Sequence, residues 1–64
     1  MNITVNSQPH SVADTSTVIS LLGERPAQGT AIAVNGHLVR RQDWDSTPLH
    51  EGDEVVIISA AYGG

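Results

Sequence analysis

Glu54-Val55-Val56-Ile57-Ile58-Ser59-Ala60 is the most strand-like run in the chain. Four consecutive branched apolar residues make a strand that is apolar on both faces, and such a strand belongs in the middle of a sheet. Glu51-Gly52-Asp53 is a tight turn into it, and Ala61-Tyr62-Gly63-Gly64 follows it. Everything else in the chain has to be arranged around this strand.

The segment before it supplies a hairpin. Ala31 to Val34 alternates small and branched apolar residues, and Asn35-Gly36 is the strongest short turn signal present. A two-residue turn there pairs Ile32 with Val39 and Val34 with His37, with the bulky residues on one face. Both turn positions need positive φ, which accounts for Asn35 and Gly36 as turn residues. Gln42 to Ser46 reads as an irregular or 3₁₀ segment, and its Trp44 as the plug at one end of the core.

The opening residues give a second hairpin. Ile3 and Val5 alternate with Asn2, Thr4 and Asn6 at the period of a half-buried strand. Ser7-Gln8-Pro9 is read as the turn. A two-residue loop at Ser7-Gln8 pairs Val5 with His10 and Ile3 with Val12, so that all four share a face. Between the hairpins, Asp14-Thr15-Ser16-Thr17 is a cluster of capping residues, and Val18, Leu21 and Leu22 form one stripe of a short helix. Thr17 is the expected N-cap, and Gly23 and Pro26 mark the end. With roughly two turns, this helix depends on packing for its stability. The result is an α+β domain: a mixed sheet of about five strands packed on one short helix, its first and last strands central and parallel.

Composition bounds the function. A chain of 64 residues makes one small domain near the lower limit for folding without staples. It contains no cysteine, so disulfides, thiolate metal sites and a catalytic thiol are excluded. Three basic against seven acidic side chains give a net charge of −4, with one Trp, one Tyr and no Phe. That balance repels phosphate backbones and offers little to stack bases, so nucleic acid is not an expected partner; a basic cleft on another protein is. No apolar run is long enough to span a bilayer and no signal peptide opens the chain, so the expected location is the cytoplasm, with no membrane partner. With so little core, a carrier or binding module is expected rather than an enzyme. His10, His37 and His50 lack metal-ligand spacing and no metal site is expected; His10 and His37 fall at hairpin edges on the inward face, as rim packing. Glu51, Asp53 and Glu54 read either as an acidic contact or as a solvated turn.

The domain is expected over residues 1–60 and a flexible tail over 61–64. Two terminal glycines carry no Cβ, so their backbone can thread a narrow channel. The chemically usable group there is the α-carboxylate of Gly64, inert until another enzyme activates it. Gly64 is therefore the candidate reactive position. Gly63, Tyr62 and Ala61 form the approach that a partner would contact.

Taken in order, Ile3-Thr4-Val5-Asn6, Thr17-Val18 with Leu21-Leu22, Ala33-Val34-Asn35-Gly36 with Val39 and Arg41, Trp44, Thr47, Leu49, Gly52-Asp53 and Gly63-Gly64 resemble the ThiS family of bacterial sulfur carriers, end to end. The resemblance implies a ubiquitin-like β-grasp fold. It also implies that an adenylating enzyme of the ThiF type uses ATP to activate the Gly64 carboxylate, no cofactor being bound by this chain. Sulfur from a cysteine desulfurase or another donor then displaces AMP, and the Gly64 thiocarboxylate serves a thiazole synthase of the ThiG type in thiamine biosynthesis. Arg40 departs from the family pattern, which commonly has proline there. The resemblance further turns Val55 and Ile57 towards the helix, leaving Val56 and Ile58 on the open face beside Thr4 as a docking patch. Other readings are a sulfur carrier for molybdopterin or another pathway, a ubiquitin-like modifier, and a β-grasp binding module with an idle tail.

Overall fold

The computed structural model describes residues 1–59; Ala60 and the expected tail, 61–64, lie outside the described residues. Five strands form one sheet: β1 (Asn2–Val5), β2 (Gln8–Ser11), β3 (Thr30–Val34), β4 (His37–Val39) and β5 (Glu54–Ser59), in the spatial order β2-β1-β5-β3-β4. The doubly apolar strand β5 is central. It runs parallel to β1, through Thr4↔Glu54 and Val5↔Val55, and antiparallel to β3, from Val34↔Val55 to Thr30↔Ser59. This is the β-grasp arrangement.

Alternation divides each strand between two environments. Ile3, Val5, Ile32, Val55 and Ile57 point to one face and are buried, where Val18, Trp44 and Leu49 close over them. The closing layer is mostly irregular chain, tied together through its backbone. Val18 N–H donates to the Thr47 carbonyl, Ile19 N–H to that of Trp44, and Leu49 N–H to that of Ser16. Trp44 is the expected plug: its ring is buried and its Nε1–H reaches the Val39 carbonyl at 2.9 Å. Among the described residues no helix is long and apolar enough to cross a membrane.

The Asn35-Gly36 hairpin has the expected register, Ile32↔Val39 and Val34↔His37, with φ of 52° and 84° at the turn residues. The opening hairpin differs. It turns at Asn6-Ser7, with φ of 51° and 69°, and pairs Val5 with Gln8 and Ile3 with His10. The expected turn at Ser7-Gln8 is displaced because asparagine tolerates the left-handed conformation, and because Asn6 has a second task on β5 described below. The displacement shifts each pairing by two residues, so the facing of the side chains survives. Val12 then lies opposite Met1, whose carbonyl accepts its N–H.

The expected short helix is a 3₁₀ turn over Val18–Leu21. Val18 and Ile19 donate outside the segment, leaving i→i−3 bonds from Ser20 and Leu22 to hold the turn. Thr17 occupies the N-cap with extended backbone but makes no side-chain cap bond; its carbonyl instead accepts from both the N–H and the hydroxyl of Ser20. Gly23 ends the turn at φ 61°, and the Arg25 guanidinium donates to the Leu21 and Leu22 carbonyls. The Val18, Leu21, Leu22 stripe faces the core as expected. His10 and His37 do not pack at the rim. Both are exposed, on the edge strands β2 and β4.

Candidate functional site

On the open face of the sheet, the residues of β5 that do not enter the core are Glu54, Val56 and Ile58. Val56 is 47% and Ile58 62% exposed, which places both members of the expected patch in solvent. The strand register adds a residue that the sequence reading passed over. Val56 lies opposite Ala33, and Ala33 opposite Leu38, which is 70% exposed. Ala31 lies opposite Ile58 in the same way. Leu38, Val56 and Ile58 thus project around two small alanines. The signal for Leu38 was present in the Asn35-Gly36 hairpin, whose register sends Leu38 to the side opposite Val39. Thr4, paired with Glu54 across the β1–β5 ladder, joins this face as expected.

Two asparagine side chains hold the strand that carries this patch, one from each side. Asn6 Oδ1 accepts the Ile57 N–H at 2.8 Å and its Nδ2 donates to the Ile57 carbonyl at 3.2 Å. The amide does what the next residue of β1 would have done, extending the ladder after β1 has turned away. On the other side, Asn35 N–H donates to the Glu54 carbonyl at 2.7 Å, and Asn35 Oδ1 accepts the Glu54 N–H at 2.9 Å. Asn35 Nδ2 also donates to Asp53 Oδ1 at 3.0 Å.

The acidic turn is therefore divided: Glu51 and Glu54 are exposed, whereas Asp53 is not. Asp53 is buried, and its Oδ2 accepts the His50 N–H at 2.8 Å, closing the turn in which Gly52 has φ of 84°. Glu51 accepts the Asn2 N–H at 2.9 Å. Glu54, exposed on β5, shares the outward side of that strand with the apolar patch. Arg40 lies exposed with Nε 3.4 Å from Asp43 Oδ2. Among the described residues there is no enclosed cavity and no group of three side chains suited to a metal. Ala61, Tyr62, Gly63 and Gly64 lie outside the described residues, so the candidate site has one placed part, the open face, and one known from sequence.

The model of the ThiS family matches residues 2–64. The chain belongs to the ThiS family. Among solved structures, the crystal structure of a thiamine biosynthesis protein (ThiS) from Geobacter metallireducens is similar at 32% identity and a TM-score of 0.81, covering all of both chains. A solution structure of a thiamine biosynthesis protein from the same organism is similar at 32% identity and a TM-score of 0.81, over 100% of this chain and 88% of that one. Among curated proteins, none matches. Membership in the ThiS family extends over the Gly63-Gly64 terminus as well as the sheet, so both parts of the candidate site fall inside the family match.

Proposed function

We propose that the protein is a sulfur carrier of thiamine biosynthesis whose working group is the Gly64 carboxylate. The observation that carries this reading is the family match over residues 2–64, which includes the terminal glycines. A carboxylate is a poor electrophile because its leaving group is poor. An adenylating enzyme of the ThiF type remedies this: a Gly64 oxygen attacks the α-phosphorus of ATP, and pyrophosphate leaves. The persulfide of a sulfur donor, such as a desulfurase that draws on cysteine, then displaces AMP at the acyl carbon. A thiol cleaves the resulting acyl disulfide, releasing the Gly64 thiocarboxylate and leaving as a disulfide with the donor. The Gly64 thiocarboxylate gives its sulfur to a thiazole synthase. The carrier is a co-substrate of these cytoplasmic enzymes and performs no catalysis itself.

Leu38, Val56 and Ile58 form the docking face in this reading. Apolar side chains exposed together on one sheet face lose water on binding, and two of them, Val56 and Ile58, lie on the strand that precedes Ala61, Tyr62 and Gly63 in sequence. Gly63 and Gly64 enter a buried active site because they bring no side chains into it. The exposed row also favours a second reading, a binding module in which the face alone works.

Removal of Gly64 separates the two. The carrier reading expects the shortened protein to bind its partners nearly as well, yet to fail in supporting growth without added thiamine. Growth of cells carrying only the shortened protein would refute it.

A further inference from the structure

We propose that Asn35 is a site of spontaneous deamidation whose rate is governed by opening of the Asn35–Asp53–Glu54 clamp, and whose product weakens the seam between β3 and β5. The sequence Asn35-Gly36 has the composition most open to this chemistry, since glycine leaves the attacking nitrogen unhindered. Around Gly36 the structure is open as well: an added Cβ would meet nothing within 4 Å. Sterics therefore give no protection. Conformation does.

In the reaction, the Gly36 backbone nitrogen gives up its proton to solvent base and attacks Asn35 Cγ. The Cγ–Nδ2 bond breaks and ammonia leaves, forming a five-membered succinimide. Water then opens the ring on either side, giving aspartate or isoaspartate at position 35. The net change is gain of water and loss of ammonia, with no change of oxidation state.

Both atoms of the Asn35 amide are engaged, Oδ1 by the Glu54 N–H of β5 at 2.9 Å and Nδ2 by Oδ1 of Asp53, in the turn before that strand, at 3.0 Å. The backbone at Asn35 is left-handed, with φ of 52°. Attack requires the amide to swing from β5 and present its face to the Gly36 nitrogen. Both bonds must break first, so the folded state reacts only through local opening. Afterwards the damage is lasting. An aspartate side chain at 35 has no N–H to give Asp53 and sets a second carboxylate beside a buried one; isoaspartate also lengthens the turn backbone. Asn6 is an internal reference. It too is an asparagine at positive φ with both amide atoms bonded to β5, and its bonds to Ile57 do not involve Asp53.

The test ages the intact protein at mildly alkaline pH, in buffer and in denaturing urea, and quantifies aspartate and isoaspartate at positions 35 and 6 by peptide mapping. Deamidation at Asn35 is expected to be roughly tenfold or more slower in buffer than in urea. In buffer, Asp53→Ala is expected to accelerate position 35 and leave position 6 unchanged. The deamidated fraction, separated by ion exchange, is expected to melt below the intact protein. Equal rates at Asn35 in buffer and urea would overturn the proposal, and so would an aged fraction that melts with the intact one. If Asp53→Ala fails to fold, both positions will react at their urea rates, and the wild-type comparison alone decides.

Discussion

Asn35 and Asp53, eighteen residues apart, form a side-chain pair 3.0 Å long that joins the β3–β4 turn to the turn that launches the central strand. The carboxylate is buried and shared: Asn35 donates to Oδ1 and the His50 backbone to Oδ2. Removing the amide leaves a buried acceptor and the Glu54 N–H short of partners, a deficit worth about 1–3 kcal/mol. A domain of this size has only some 3–5 kcal/mol to lose. Asn35→Ala is therefore expected to lower the urea midpoint markedly. In a double-mutant cycle with Asp53→Ala, the coupling is expected at about 0.5–3 kcal/mol. Additive losses would show that the pair is incidental.

Asn6 gives a local prediction. Its amide replaces strand pairing for Ile57 alone, whereas the Asn6 backbone N–H serves the Val55 carbonyl at 2.8 Å and would remain in an alanine variant. Asn6→Ala is expected to speed amide exchange at Ile57 well beyond any change at the β3-facing amide of Val56. Uniform acceleration along β5 would mean that the whole sheet had loosened instead.

Two apolar substitutions should part sharply. Ile32 is fully buried beneath the closing layer, and Ile32→Ala is expected to cost about 2–5 kcal/mol, enough to unfold much of the population. Leu38→Ala removes a side chain of similar size from the open face and is expected to change stability by no more than about 0.5 kcal/mol. Thermal or urea denaturation compares them directly. A large loss at Leu38 would mean that it is packed, not waiting for a partner.

Much of this architecture is legible from the residues. Four branched residues at 55–58 state that their strand is central, and Asn35-Gly36 fixes its hairpin because few residue pairs accept two positive φ values in succession. The opening turn was harder to place. Asn6 and Ser7 carry no glycine, and the reason the chain turns there lies on β5, fifty-one residues away, in the backbone of Ile57. The 3₁₀ turn reads locally as a longer helix for a related reason. Its first two N–H groups are claimed by Thr47 and Trp44, contacts that no local periodicity announces. Burial of Asp53 was hidden similarly, because an acidic residue in a Gly-Asp turn reads as solvated until its partner at Asn35 is known. For the candidate site, alternation exposed Val56 and Ile58. Leu38 emerged only when the register across three strands was laid out.

The docking face has its own test. Ile58→Asp sets a charge at a position 62% exposed, so folding is expected to be almost unchanged. If this face meets the adenylating enzyme, burial of an unpaired charge is expected to raise the KM for the carrier by roughly tenfold or more, about 1.4 kcal/mol. Circular dichroism and ATP-dependent activation assays read the two effects separately. Unchanged KM would remove Ile58 from the interface.

Intact-mass analysis before and after a thiol alkylator reads the chemical state of the Gly64 carboxylate. The protein would be co-expressed with an adenylating enzyme of the ThiF type and a sulfur source. Because the chain contains no cysteine, alkylation distinguishes a terminal thiocarboxylate from oxidation of Met1, which changes the mass almost equally. A sulfur carrier is expected to take up a single adduct, mapped to Gly64. A chain that takes up no adduct, although the enzyme is active and sulfur is supplied, would contradict that role.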